Sequence, residues 1–146
     1  DPLFRKIEAS YLYNDTYKIA FVEMAEASGL RLLKEEEQNC CSTTSYGTGE
    51  LIKAAMDQGA EKIIFGIGGS ATNDCGMGMA AALGYQFLDA EGKDVEPIGK
   101  NLSLVKQLGR AALSLEDWDK AIATTTPSVL TIVNRKKASR NNWKKE

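Results

Sequence analysis

The 146-residue chain contains no histidine. That absence removes Ser-His-Asp and Cys-His catalysis and every imidazole-ligated metal site. Acid–base work then falls to Asp, Glu, Lys or Tyr, and a metal would need oxygen ligands. Cysteine is scarce: Cys40 and Cys41 are adjacent, Cys75 stands apart, and the spacing offers neither a zinc site nor a disulfide framework. Reduced thiols in a cytoplasmic protein are the expectation. No apolar run approaches the ~20 residues that a membrane helix requires. Asp1-Pro2-Leu3-Phe4-Arg5 lacks the charged-then-apolar pattern of a secretory leader, and with no initial Met the expectation is a piece of a longer protein.

What is present is ordinary for a globular domain: 43% hydrophobic and 26% charged residues, in a chain long enough for one real core. Charge is unevenly spread. Arg135, Lys136, Lys137, Arg140, Lys144 and Lys145 face only Glu146 in the last stretch, giving +5, whereas the rest of the chain carries −7. An acidic body argues against nucleic acid as the main partner. The basic tail, 134–146, reads as solvated and disordered.

Secondary-structure signals alternate. Lys6 to Tyr13 and Lys18 to Ala25 read as strands joined by the Asn14-Asp15-Thr16 turn, hence an antiparallel hairpin. Leu30 to Gln38 reads as a short surface helical turn. Glu50 to Gln58 is helical, with Leu51, Ile52, Ala55 and Met56 on one face and Gly59 as its C-terminal stop. Lys62 to Phe65 reads as a buried strand, Met77 to Leu83 as a helix closed by Gly84, and Tyr85 to Leu88 as a strand. Beyond Asn101 the spacing of Leu102, Val105 and Leu108 suggests a helix face. Ser114, Glu116 and Asp117 suggest a helix start running through Trp118 and Ile122, and Val129 to Val133 suggests a strand. The class is α/β, a mixed sheet with flanking helices.

The chemistry concentrates in Gly66-Ile67-Gly68-Gly69-Ser70-Ala71-Thr72-Asn73-Asp74. Glycines let a backbone approach a ligand closely, free N–H groups attract anions, and the hydroxyls and carboxylate beside them suit a phosphorylated small molecule with a metal ion. Gly66-x-Gly68-x-x-Ala71 also fits a dinucleotide-binding NAD(P) site, with Asp89 about where a ribose-binding acid belongs. Against it, Thr72-Asn73-Asp74-Cys75-Gly76 is too polar to open a packed helix. A Walker-type loop fails because no Lys or Arg lies between Lys62 and Lys93. The plainer alternative is a tight turn in which Asp74 is a helix cap.

Thr43-Thr44-Ser45-Tyr46-Gly47-Thr48-Gly49-Glu50-Leu51-Ile52, followed by Gly66 to Asp74 and by Gly76-x-Gly78-Met79, resembles the bacterial glycerate kinase family. Asp1-Pro2-Leu3, Val22-Glu23-Met24-Ala25, Ala27-Ser28-Gly29-Leu30, Ala82-Leu83-Gly84 and Phe87-Leu88-Asp89 fit the same pattern in order, so the resemblance spans about residues 1–105. Cys75 stands where the family usually has glycine. The family's Asp-Ser-Phe-Lys-Gly motif and its later Cys-Asp-Val segment do not occur here.

The resemblance implies transfer of the ATP γ-phosphate to D-glycerate with Mg2+, the usual product being 2-phosphoglycerate. It implies a two-domain α/β protein with the active site between domains, of which this chain is a fragment. Residues 1–105 would form the family-like domain and 106–133 an extension of helix or strand. The partners would be D-glycerate, ATP and the missing remainder of the enzyme. A non-catalytic phosphate- or nucleotide-binding module is the alternative. On the implied site, Gly66 and the N–H groups of Gly68, Gly69 and Ser70 hold phosphate or the substrate carboxylate, and Ser70 and Thr72 add hydroxyl bonds. Asp74 ligates Mg2+ or accepts the proton, and Asn73 orients it. Tyr46, Gly47, Thr48 and Glu50 form a second wall, and Glu23 acts only if its strand end faces the cleft. The isolated chain is expected to be inactive and prone to self-association.

Overall fold

The computed structural model describes residues 1–110, 120–126 and 129–134. Strand β1 (Leu12–Asn14) and strand β2 (Ile19–Glu23) form the expected antiparallel hairpin, with Leu12 opposite Phe21 and Tyr13 opposite Ala20. The first strand is much shorter than the Lys6–Tyr13 expectation. The second stops at Glu23, and Met24–Ser28 forms helix α1 rather than more strand. Met24, Ala25 and Ala27 are sound helix formers, so the apolar run changes period without a break in composition. Gly29 ends α1, and a Cβ there would overlap the Ala25 carbonyl oxygen.

Two 3₁₀ turns, Leu30–Leu32 and Glu35–Glu37, occupy the expected surface stretch. Helix α2 (Tyr46–Asp57) begins four residues earlier than the apolar face alone suggests, and Gly59 closes it at φ +104°. Strand β3 (Lys62–Gly66) runs parallel to β2, with Glu23 opposite Gly66. Alternation along β2 and β3 buries Ala20, Val22, Ile63 and Phe65 against Leu51, Ile52, Ala55 and Met56 of α2. Each large apolar side chain so buried contributes about 1.5–3 kcal/mol.

After β3 the chain wanders for ten residues before helix α3 (Met77–Ala82). Strand β4 (Tyr85–Leu88) then pairs antiparallel with strand β5 (Gln107–Arg110) in a separate two-stranded sheet. Residues Gly99–Leu104 form a 3₁₀ turn, so Leu102, Val105 and Leu108 do not share a helix face. Strand β6 (Lys120–Thr126) contains Ile122, which the sequence reading placed in a helix; the remainder of that helix, and Pro127, lie outside the described residues. Strand β7 (Val129–Asn134) matches its expectation and pairs antiparallel with β3 and β6. The main sheet has the order β1-β2-β3-β7-β6 and mixes parallel and antiparallel pairs. The basic tail lies outside the described residues. Among the described residues no helix is long and apolar enough to cross a membrane.

This topology overturns the dinucleotide alternative. That site requires the strand after α3 to lie parallel beside β3, but β4 belongs to another sheet. Asp89 instead closes its own turn, its Oδ1 accepting the N–H groups of Glu91 and Lys93, both at 2.9 Å.

Candidate functional site

The residues singled out from sequence fall into three places. The first is the turn after β3. Gly68 and Gly69 are exposed and Ser70 and Thr72 half-buried. Gly69 adopts φ +70°, a left-handed conformation that glycine enters without steric cost. Two backbone bonds strap this turn to the end of α1: Leu30 N–H donates to the Gly69 carbonyl and Ala71 N–H to the Ser28 carbonyl, both at 2.9 Å. The Ser70 and Thr72 hydroxyls meet at 3.0 Å, and Ser70 Oγ accepts the Thr72 N–H at 3.1 Å. The N–H groups of Gly68 and Gly69 find no acceptor among the described residues, and these two glycines are the central pair of a hydrogen-bonded turn that closes at Ser70. A Cβ added at Gly68 would touch nothing within 4 Å, so the tip stands open.

The second place is a buried polar knot around Asp74, which is 2% exposed. Its Oδ2 accepts from Ser45 N–H (2.8 Å), the Ser45 hydroxyl (2.8 Å) and Gly78 N–H (3.0 Å), and its Oδ1 accepts from Gly76 N–H at 3.1 Å. Ser45 Oγ also accepts the Met79 N–H at 2.9 Å. The carboxylate thus ties the segment before α2 to the first turn of α3. These bonds match the plainer reading, a residue that fixes the turn into α3, and Asp74 also contributes to a cavity of about 380 Å³ with Cys75, Gly76 and Phe87. Its neighbours Cys75 (φ +51°) and Gly76 (φ +75°) are both left-handed, which turns the chain sharply into α3. Asn73 is exposed beside it. Thr48 joins this buried layer, its Oγ1 lying 2.7 Å from the Ser28 hydroxyl.

The third place is a cavity of about 590 Å³ to which Tyr46, Gly47 and Glu50 contribute, together with Phe4, Arg5 and Lys6. None of the glycine-turn residues lines it. Phe4 and Tyr46 meet with tilted rings, 5.8 Å between centroids and 50° between planes. The Arg5 guanidinium is committed to Asp1 (2.6 Å) and Glu37 (2.8 Å). The Lys34 N–H and then Arg5 hold the Glu37 carboxyl below its ordinary value. The predicted second wall is therefore split: Thr48 is internal, and the other three face a different space from the turn.

Sequence reasoning missed Ser45, Ser28 and the seating of Glu23. Ser45 and Ser28 carried no local signal, because their partners lie 29 and 20 residues away. Mg2+ is usually held by one or two carboxylates plus substrate phosphates. Asp74 does not fit that role as seated here, since its Oδ2 accepts three protein donors, its Oδ1 accepts a fourth, and the residue is 2% exposed. Among the described residues no three Cys, Asp or Glu side chains converge on a metal position.

A model of the glycerate kinase family matches residues 1–134. The chain is 49% identical over 116 residues to a glycerate kinase of Halalkalibacterium halodurans, covering 80% of this chain and 30% of the relative. It is 42% identical over 139 residues to the glycerate 2-kinase of Escherichia coli K12, covering 95% and 36% respectively. A crystal structure described as glycerate kinase 2 from Salmonella typhimurium LT2 superposes with a TM-score of 0.72 at 45% identity, over 74% of this chain and 29% of that one. The chain thus spans about a third of the length of these relatives.

Proposed function

The chain belongs to the glycerate kinase family, and from that premise we propose that it forms part of an ATP-dependent kinase acting on D-glycerate, with 2-phosphoglycerate as product. One observation carries the reading at the level of this chain: the glycine turn holds the N–H groups of Gly68 and Gly69 without an internal acceptor, on a frame strapped to α1. Successive free N–H groups in a turn form a concave donor surface for phosphate or carboxylate oxygens. Phosphoryl transfer to an alcohol asks a protein chiefly for positioning and for stabilisation of charge. ATP supplies the phosphoryl group when bound; the turn supplies fixed donors, and Ser70 and Thr72 supply hydroxyls at its base. The Asp74 knot contributes by holding α3 and the segment before α2 in register.

The rest of the enzyme, and a cytoplasmic setting where ATP is made, follow from the same premise. Leu12 and Phe21 are 73% and 43% exposed and pair across the sheet face turned away from α2. We assign that face to contact with the missing portion, and to self-association of the isolated chain, which light scattering measures.

The test has two arms. Isotope-labelled chain titrated with inorganic phosphate shifts the amide signals of Gly68, Gly69 and Ser70; unmoved signals overturn the anion-binding reading. ADP release dependent on both ATP and D-glycerate stays near background for the isolated chain, because a partial site cannot position two substrates. Robust turnover overturns that division of the site.

A further inference from the structure

Glu23 ends β2 and Gly66 ends β3, and the parallel register sets them side by side. The Glu23 carboxylate lies over Gly66: a Cβ built there would stand 2.6 Å from Oε2 and 2.9 Å from Oε1. Glycine at 66 keeps that seat free. Glu23 also occupies the N-cap position of α1, where a carboxylate ordinarily bonds the helix's first N–H groups, yet its side chain makes no capping bond. It is exposed, and among the described residues it enters no hydrogen bond or ion pair.

The short helix that starts at Glu23 is the one to which the glycine turn is strapped. Leu30 and Ser28 at its far end hold Gly69 and Ala71, and a Cβ on Gly69 would lie 3.4 Å from that of Ala25. An acceptor-only carboxylate and a turn with unpartnered N–H donors are thus fixed on one frame. They sit at the carboxyl ends of two parallel strands, where open α/β sheets bind their ligands.

We propose that Glu23 accepts the hydroxyl hydrogen of a small hydroxy acid whose carboxylate rests on the N–H groups of Gly68 and Gly69. The inference rests on the kinase reading above and assigns the residue that recognises the acceptor alcohol. A hydroxy acid carries one group that needs donors and another that needs an acceptor, and an O–H bond to an ionised carboxylate is among the stronger hydrogen bonds. An anion without a hydroxyl meets only repulsion from Glu23. Removing Glu23 therefore acts with opposite sign on the two kinds of ligand.

The experiment is an amide-shift titration of the full labelled chain, in EDTA, with D-glycerate, propionate and inorganic phosphate. Glu23→Ala weakens D-glycerate at least fivefold and leaves propionate, which carries no O–H, unchanged or tighter. Gly66→Ala, which displaces the carboxylate without removing its charge, also weakens D-glycerate. Equal changes for D-glycerate and propionate, or unchanged D-glycerate affinity in Glu23→Ala, overturn the proposal. If phosphate still shifts the Gly68–Ser70 amides in that case, the anion-binding turn stands without Glu23. If no anion shifts them in the unmodified chain, both readings fall. Should Gly66→Ala lose the dispersed spectrum of the folded chain, Glu23→Ala decides alone.

Discussion

Two stretches of this chain have nearly the same composition and opposite fates. Thr43-Thr44-Ser45 with Thr48 and Asp74, and Gly68-Gly69-Ser70 with Thr72, are both short runs of hydroxyl-bearing residues beside glycines. In the first, Thr43, Thr44, Ser45 and Thr48 are fully buried and bonded to Asp74, to Ser28 or to backbone. In the second, the N–H groups of Gly68 and Gly69 have no acceptor among the described residues, and both glycines are exposed. A polar cluster that satisfies itself is scaffold, whereas one that leaves donors unmatched at the surface has capacity for a ligand. Composition alone cannot separate the two, because the difference lies in where each hydrogen bond ends.

The contrast breaks most visibly at Asp74. Asp74→Ala strands the Ser45, Gly76 and Gly78 N–H groups, and stability in urea falls by about 3 kcal/mol or more. A loss under about 1 kcal/mol would show that the knot is not a support. Gly78→Ala comes next: its Cβ would overlap Thr44 Oγ1 and stand 2.6 Å from the Tyr46 nitrogen, for an expected loss of about 2–3 kcal/mol by the same measurement. Thr48→Val leaves the buried Ser28 hydroxyl facing a methyl group and costs about 1–2 kcal/mol. On the other side of the comparison, Gly68→Ala has open space around it and changes stability by less than about 0.5 kcal/mol. Its effect is expected in phosphate affinity instead, read from the same amide signals.

The smallest effect belongs to a surface pair outside both of these stretches. The Glu37 carboxyl is held below its ordinary value by the Lys34 N–H and by Arg5. Its stabilising contribution is therefore complete above the ordinary glutamate range and is lost as pH falls through the lowered native value. Arg5→Met moves the Glu37 titration, followed by carboxyl NMR, back upward; an unmoved midpoint would leave the backbone bond as sole cause.

Much of the fold was legible where burial imposes a period. The strand ending at Phe65, the Leu51–Met56 face and the β4 segment follow directly from apolar spacing. The switch at Glu23 was not, because Phe21-Val22 runs into Met24-Ala25 with no turn residue and no capping side chain to mark a helix. Leu102 and Val105 sit three apart, a spacing that a 3₁₀ turn and an α-helix share, and β5 is a strand only because β4 pairs with it. The glycine turn was visible as a candidate, but the direction of Asp74 depended on Ser45, 29 residues away. Glu23 gained its meaning only when register set it against Gly66.

The left-handed backbone at Cys75 reverses the usual expectation for a glycine scan. Glycine generally loosens a chain by giving the unfolded state more freedom. At this position it relieves a conformation that costs a side-chain-bearing residue about 1–2 kcal/mol. Cys75→Gly should therefore be neutral to stabilising while deleting an exposed thiol. Fluorophore or spin labels would then attach only at Cys40 and Cys41, giving a probe position next to the segment that feeds α2 while leaving the glycine turn unlabelled.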